Sequence, residues 1–309
     1  MKKYIIKRIF EAFAVVIAIM VITFIILNVI PGDPAVLILG ERADAATIEM
    51  VRQQMGFDKP LYIQFFNYFG KLLQLDLGVS YFTREEVFIA LSRAFAVTIK
   101  LALSAYAFAL IFGITFGVIA AVKRGKFIDK FLMSTSIIGI SAPSFWVAII
   151  LQIVFGLKLN LLPISGGDSV AAFILPTFAL GTRYIASIAR ITRTSILEII
   201  GQDYIRTAEA KGISKFKVII GHALRNALLP IITMIGAELG GVLTGSMLIE
   251  KVFSISGIGK LTVDSILSRD MPLLQGAIIY IATVCVIIYL LVDISYAYID
   301  PRIRLGEEV

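Results

Sequence analysis

Long uninterrupted apolar segments dominate this chain and leave few folds open to it. Of its 309 residues, 58% are hydrophobic and 17% are charged, and the mean hydropathy is +0.90. A soluble domain has about 25% charged residues and about 45–50% apolar ones. A helix needs about 20 apolar residues to cross roughly 30 Å of hydrocarbon. Six segments are long enough and are predicted to be transmembrane helices: Ile9–Ile30, Phe95–Val122, Phe131–Leu157, Ala172–Thr194, Ala227–Ile249 and Gly276–Ile299.

The basic residues predict which ends of these helices face the cytoplasm. Lysine and arginine concentrate at the N-terminus, between the second and third spans, and between the fourth and fifth spans. Inner-membrane proteins keep such residues in the loops that stay inside, so both termini are predicted to be cytoplasmic. The net charge is +7, but the placement of the basic residues is more informative than this sum. The expected environment is a lipid bilayer, and no interleaving of aromatic and basic residues supports nucleic-acid binding.

This orientation places a long segment outside the cytoplasm. Within it, Ala45–Met55 and Leu61–Leu75 have helical apolar spacing and are bounded by Gly56, Pro60 and Gly78. The spacing favours a small helical cap, and a solvated linker is the alternative. The predicted organisation has four parts. Residues 1–30 form the cytoplasmic N-terminus and the first span, and residues 31–94 form an extracytoplasmic cap. Residues 95–299 form a five-helix core that includes a cytoplasmic loop (195–226), and residues 300–309 form a cytoplasmic tail.

The basic stretch between the fourth and fifth spans has the pattern of a docking element. Asp203–Val218 is predicted to form a short helix, a sharp turn at Gly212 and a second helix, with Asp203 capping the first turn. One face would carry Tyr204, Ile205, Ala208 and Lys211. Pro230 is compatible with the start of the fifth span. Such a helix could fit a groove on a partner protein or lie on anionic lipid.

No residue pattern indicates an enzyme. Ser256-Gly257-Ile258-Gly259-Lys260-Leu261 resembles a phosphate-binding loop, but Ser254 and Leu261 replace the required glycine and hydroxyl residue, so we expect a turn. His222 is the only histidine and Cys285 the only cysteine. No catalytic residue, metal site or cofactor is therefore predicted in this chain.

Three charged residues inside the spans are candidates for function, because a charge in hydrocarbon is costly. Arg183 and Glu238 would line a pathway and meet the two charged ends of a zwitterionic peptide, or would pair with each other or with a partner subunit. Asp293 is expected to pair with Arg302 or Arg304 at the membrane surface. Trp146 is a further candidate for the translocation pathway. It follows Pro143, which either breaks the third span beside a cavity or only bends it.

A family resemblance rests on the sequence DYIRTAEAKGISKFKVIIGHALRNALLP from Asp203 to Pro230. It is similar to the loop by which permease subunits of bacterial ATP-binding-cassette (ABC) importers dock onto their ATPase, in the dipeptide, oligopeptide and nickel branch. Other segments also resemble that branch over nearly the whole chain: Pro31–Ala35, Asp76–Ser80, Lys123–Gly125, Val252–Gly259 and Asp300–Arg304. The Glu-Ala-Ala signature of the superfamily corresponds here to Arg206-Thr207-Ala208, and Gly212 lies farther from Pro230 than in sugar permeases. Both departures are usual in this branch.

The resemblance implies an all-α protein of the bacterial inner membrane with six spans and the type I importer permease fold. It implies a second homologous permease, two ABC ATPase subunits and an extracytoplasmic solute-binding protein as partners. The residues it assigns to ATPase coupling are Asp203, Tyr204, Arg206, Thr207, Ala208, Ala210 and Gly212.

The substrate expected from the resemblance is a dipeptide or oligopeptide, with nickel or a metal chelate as the alternative. Two other classes stay open at this point. A membrane scaffold would show no transport that depends on an ATPase. A secondary transporter would use an ion gradient, although neither inverted repeats nor clustered intramembrane carboxylates are evident.

Overall fold

Helices make up the regular structure of the computed structural model, which describes residues 2–29, 34–39, 43–167 and 169–299. No β-strand occurs in these ranges, where the only β pairing is a bridge between Val79 and Glu86. The predicted all-α class is confirmed. The helices, numbered in chain order, are α1 Lys2–Val29, α2 Pro34–Leu39, α3 Ala45–Met55, α4 Leu61–Leu73, α5 Val87–Val122, α6 Phe127–Ser141, α7 Ser144–Leu151, α8 Val170–Ile200, α9 Asp203–Ala210, α10 Lys215–Lys217, α11 Arg225–Val252, α12 Ile258–Ser268 and α13 Met271–Ile299.

Five helices in the described ranges are long and apolar enough to cross a membrane: Tyr4–Asn28, Val87–Val122, Val170–Ile200, Lys215–Val252 and Met271–Tyr296. The pair α6 and α7, taken as one broken span, gives the sixth. The predicted spans therefore correspond to helices, although most helices extend beyond the apolar cores from which they were predicted. The tail 300–309, including Arg302 and Arg304, lies outside the described residues, as do Ile30 and Pro31–Asp33.

The third predicted span is broken rather than merely curved. Ala142 has extended backbone angles (φ −77°, ψ 127°), as expected for a residue that precedes proline. Pro143 then starts a new helix, and α6 and α7 are bent by 104° relative to each other. A π-helical segment, Gln152–Lys158, continues α7. Because the helix is broken at Pro143, nearby backbone groups inside this predicted span lack the hydrogen bonds of a continuous helix.

The fifth span begins earlier than predicted. A continuous helical segment runs from Lys215 to Val252, through α10, a π-helical segment (Val218–Leu224) and α11. Pro230 therefore lies inside the helix and not at its start, so that prediction is wrong. The charges of Lys215, Lys217 and Arg225 lower the local hydropathy and hid this extension in the sequence.

The described chain divides into two compact units. The first contains Val97–Ser256 and residues 291–299, and α8 is its central helix, in contact with α6, α7 and α11. Gly117 permits a close approach there, because a Cβ atom at this position would lie 2.5 Å from Cβ of Thr192 and 2.6 Å from the Ala189 carbonyl oxygen. Any larger residue would push α5 away from α8.

The second unit contains Lys2–Ala96 and Gly257–Leu290. The predicted helix Ala45–Met55 is present with these bounds, and α4 ends at Leu73, two residues before the predicted end. Asp44 caps α3 by accepting hydrogen bonds from the Thr47 amide (3.0 Å) and hydroxyl (2.6 Å), which hold the pKa of Asp44 below its ordinary value.

Buried Asp270 fixes the turn before α5 in the same unit. Its carboxylate accepts hydrogen bonds from the Ser80 hydroxyl (2.5 Å) and the Tyr81 amide (3.3 Å). Burial, followed by the negative charge of Asp270, raises the pKa of Tyr81 to about 12. Helix α12 was not predicted from the sequence.

Candidate functional site

Helix α9 connects α8 to the long helical segment that contains α11. Only Gly201 and Gln202 separate it from α8. Gln202, and not Asp203, is the N-cap residue, and its side chain makes no capping hydrogen bond. The predicted cap at Asp203 is therefore wrong. Asp203 instead occupies the first turn, where its negative charge is favourable to the helix dipole, and lies 3.6 Å from the Arg206 guanidinium.

The end of α9 is a Schellman motif built on Gly212. The Gly212 amide donates to the Glu209 carbonyl (2.9 Å) and the Ile213 amide donates to the Ala208 carbonyl (3.3 Å). Gly212 has φ +77°, a left-handed conformation that favours glycine. The sharp turn predicted at Gly212 is thus present.

One face of α9 is buried against its own chain. Ile205 is 1% exposed and Ala208 is 8% exposed, and they pack with Val218 and Ala223 of the following helical segment. Ile199 and Ile200 at the end of α8 complete this cluster. Ala208 therefore faces inward and is not positioned to enter a groove on a partner. Lys211, predicted to share its face, is exposed.

The opposite face of α9 is exposed and polar or small. It carries Asp203, Arg206, Thr207 and Ala210. The Thr207 hydroxyl donates to the Asp203 carbonyl within the helix (2.9 Å), so it stabilises the turn locally. Of the seven residues assigned to coupling, all except Ala208 are exposed and accessible to a partner.

Tyr204 links α9 to α11. Its hydroxyl accepts a hydrogen bond from the Asn226 side-chain amide (2.8 Å), and its ring is 45% exposed. Together with the buried face, this bond attaches α9 to both helices that flank it in sequence. A force applied to the exposed face of α9 would reach α8 and α11 together.

The intramembrane residues Arg183 and Glu238 lie on α8 and α11 of the same unit. Arg183 is exposed and Glu238 is half-buried. The Glu238 Oε2 atom is buried and has no hydrogen-bond partner among the described residues, although the Ser187 side chain is near the carboxyl group. Arg183 and Arg190 are the cations whose charges act on Glu238. No salt bridge joins Glu238 to either arginine within the described ranges.

Trp146 lies in the first turn of α7, three residues after the break, and its side chain is 54% exposed. Before the break, a Cβ atom at Gly139 would lie 3.4 Å from the Ala186 Cβ and 3.6 Å from the Thr182 side chain. The end of α6 therefore packs on the part of α8 that carries Arg183.

The sequence interpretation missed an ion pair between α6 and α8. Arg193 donates to both carboxylate oxygens of Asp129, at 2.6 and 2.9 Å, and the Gly125 amide donates to the same carboxylate (2.8 Å). The Asp129 side chain is 5% exposed. Nothing local in the sequence indicates this pair, because Asp129 and Arg193 are 64 residues apart.

A second missed group is the carboxylate of Glu250, at the end of α11. Glu250 is fully buried and accepts hydrogen bonds from the hydroxyl groups of Thr98 (2.7 Å) and Ser246 (3.0 Å). A carboxylate at this depth needs such partners. The spacing of Ser246 and Glu250, four residues apart on one helix, was the only local signal.

The segment that resembles a phosphate-binding loop has another role. Gly257 precedes α12, and Lys260 lies inside that helix with its ammonium 2.8 Å from the Asp264 carboxylate. The predicted turn is thus the beginning of a helix. His222 is exposed on the π-helical segment. Within the described ranges, no three His, Cys, Asp or Glu residues are grouped to hold a metal ion.

Residues 113–305 match the family model described as the binding-protein-dependent transport system inner membrane component, and residues 1–104 match the N-terminal model of the same system. The chain belongs to this family. It is an ABC importer permease, a multi-pass protein of the inner membrane, as the sequence resemblance predicted.

Individual relatives agree with this assignment. The permease is 42% identical over 304 residues to a glutathione transport system permease protein, GsiC, of Escherichia coli O6:H1, covering 98% of this chain and 99% of the relative. The proteins of the same name from Escherichia coli K12 and Shigella dysenteriae serotype 1 are each 41% identical with the same coverage. The crystal structure of an amino acid ABC transporter with histidines shares the fold, with a TM-score of 0.52 at 17% identity, over 68% of this chain and 94% of that chain.

Proposed function

We propose that this permease forms half of a translocation pathway and is driven by ATP hydrolysis in separate subunits. The complete importer would contain a second homologous permease, two ABC ATPase subunits and an extracytoplasmic binding protein. The observation that carries the proposal is the construction of α9. This short helix is fixed to its own chain through one face and leaves Asp203, Arg206, Thr207 and Ala210 exposed on the other.

Coupling would work by rigid-body movement of α9. An ATPase groove would hold the exposed face, and closure of the ATPase pair would displace the helix. Because Ile205 and Ala208 are packed against Val218 and Ala223, the displacement would reach the segment that continues into α11. The two-residue link to α8 would move that helix as well. This is the helix-in-groove mode of recognition.

The proposed orientation follows the basic residues. Both termini and α9 would lie in the cytoplasm, and α2, α3 and α4 would form a cap on the outer side where the binding protein docks. Exposed Lys123, Arg124 and Lys126 between α5 and α6 would then be cytoplasmic. No cofactor is proposed for this chain, since the nucleotide would be bound by the ATPase subunits.

The proposed substrate is a small peptide. The relatives named above are glutathione transport permeases that match nearly the whole of this chain, and glutathione is a tripeptide. The proposal therefore narrows the peptide class expected from the sequence to short peptides of the glutathione type.

Transport in proteoliposomes tests the substrate. The complex would be assembled from this permease, its partner permease, the ATPase subunits and the binding protein, and supplied with glutathione, a neutral dipeptide, a pentapeptide or a nickel chelate. ATP-dependent uptake of glutathione is the expected result. Uptake of the nickel chelate alone would contradict the peptide proposal. Absence of ATP-dependent uptake for all four, in a complex that assembles, would contradict the transport proposal and favour a scaffold.

A further inference from the structure

Helix α8 carries a stripe of polar and charged residues, which begins at Arg183 inside the predicted span. Arg183, Ser187, Arg190, Thr194 and Glu198 are separated by three or four residues, and they therefore share one face of the helix. Four of them are exposed and Ser187 is partly exposed. At a rise of about 1.5 Å per residue, Arg183 and Arg190 lie about 10 Å apart along the helix axis.

Glu238 of α11 lies beside this stripe. Ser187 is the member of the stripe near its carboxyl group, and both arginines act on it electrostatically. Tyr106 lies within electrostatic range of Glu238. Its hydroxyl donates a hydrogen bond to the Ile235 carbonyl (2.5 Å), and this bond fixes the turn of α11 that precedes Glu238. The carboxylate is thus held in place by its helix while its Oε2 atom has no partner in the described chain.

The stripe cannot face hydrocarbon. Charged side chains within a span face the protein interior or a water-filled cavity, because a charge in lipid is expensive. Neither arginine forms a salt bridge in the described part of the chain. A water-filled passage along α8 satisfies both observations.

We propose that Arg183, Arg190 and Glu238 form a contact site that selects peptides by charge. The site holds two cations and one anion, and its complement is a peptide with two carboxylates and one ammonium group. A γ-glutamyl tripeptide has this charge pattern, whereas a neutral dipeptide has one carboxylate and one ammonium. Guanidinium groups hold carboxylates through paired, directional hydrogen bonds. This inference rests on the proposed function and adds to it a site in the permease itself.

The test compares two peptides that differ by one carboxylate: γ-Glu-Ala-Gly and its C-terminal amide. ATP-dependent uptake of each is measured in the reconstituted complex with saturating binding protein. The ratio of the two rates is then compared between variants, so that the selectivity of the binding protein cancels. We expect one of the variants Arg183→Gln and Arg190→Gln, the one whose arginine binds the C-terminal carboxylate, to lower the ratio about tenfold, the effect of losing one charge-assisted hydrogen bond. The other variant should slow both peptides equally, because both retain the γ-glutamyl carboxylate. Glu238→Gln should slow both peptides, since both carry the ammonium group.

Two further variants separate selection from structural damage. Arg93→Gln removes an exposed arginine that pairs with Glu85 elsewhere, and it should leave the ratio unchanged. Arg183→Lys retains the positive charge but loses the paired hydrogen bonds of the guanidinium, so it should impair uptake less than Arg183→Gln does. Membrane insertion and complex assembly of every variant would be measured alongside.

Each outcome bears on a different claim. A fall in the ratio for one of the two arginine variants, with the ratio of Arg93→Gln unchanged, supports the site. An unchanged ratio in both arginine variants overturns the site while leaving the proposed function intact. If the wild-type complex takes up neither peptide, the proposed function is contradicted and the site with it.

Discussion

Single buried charges decide how firmly neighbouring helices are held in this permease. Arg193 of α8 donates two hydrogen bonds to the Asp129 carboxylate of α6, and the Gly125 amide donates a third to the same carboxylate. Removal of one partner from such a pair lowers the free energy of unfolding by more than the pair contributes to it, because the other charge is left uncompensated. Arg193 is three residues from Arg190, so this pair also fixes the part of α8 that carries the polar stripe.

The substitution Asp129→Asn should destabilise the permease by roughly 3 kcal/mol, because Arg193 loses its carboxylate in a largely buried setting. Denaturant unfolding in detergent measures this change. The matched control is Glu85→Gln, which breaks the exposed pair with Arg93 and should cost less than about 1 kcal/mol. Equal costs for the two substitutions would contradict the importance given to burial.

Residues near Gly212 show what sequence alone can predict at this scale. The turn at Gly212 was predictable, because a glycine that interrupts a helical pattern supplies the left-handed backbone that the Schellman motif needs. The direction in which Ala208 faces was not predictable. Periodicity shows that Ile205 and Ala208 share a face, but it does not show whether that face meets the same chain or a partner. The contacts with Val218 and Ala223 settle that point.

At the scale of elements, α9 is a short helix whose position depends on its neighbours. Eight residues are too few to be stable alone in water, so the buried face and the bond between Tyr204 and Asn226 keep it in place. This arrangement suits a part that transmits displacement, since both attachments lead to helices of the same unit.

The substitution Tyr204→Phe should weaken coupling while leaving the ring and its packing in place. It removes the acceptor for Asn226, a hydrogen bond that contributes about 1 kcal/mol, which corresponds to about fivefold in an equilibrium between coupled and uncoupled positions of α9. The number of peptides taken up per ATP hydrolysed should fall by up to that factor. Tyr62→Phe, at an exposed tyrosine of α4, is the control and should have no effect. An unchanged ratio in Tyr204→Phe would show that this bond does not transmit force.

The elements themselves were predictable to different degrees. The bounds of α3 followed from its apolar spacing and Gly56. At Pro143 the restriction that proline imposes predicted either a break or a bend, and the structure shows a break. The 104° angle at that break depends on packing against α8 and could not be predicted locally. The helical segment from Lys215 to Val252 was cut short in the prediction, since its basic residues and Pro230 are typical of a loop.

At the scale of the whole molecule, the family matches account for the permease role, and the structure accounts for how that role could be carried out. Two family models together span most of the chain, and the relatives are covered over nearly their full length. Hydropathy predicted the six membrane segments and the resemblance predicted the family. The long-range contacts of Asp129, Glu250 and Asp270 could not be predicted, because their partners are distant in sequence.

Docking of α9 on the ATPase is the central claim for the assembled importer. The chain has a single cysteine, Cys285, so a Cys285→Ser background permits cross-linking from one chosen position. Ala210→Cys places a thiol on the exposed face of α9, and Ala208→Cys places one on the buried face of the same helix.

The decisive measurement is disulfide cross-linking between each of these cysteines and a series of single cysteines placed on the ATPase surface, in the assembled complex. The account predicts a cross-link from Ala210→Cys and none from Ala208→Cys, with ATP-dependent peptide uptake lost when the cross-link forms and restored by reduction. A cross-link from neither position, or from Ala208→Cys alone, would contradict the proposal that α9 is the element through which this permease receives force.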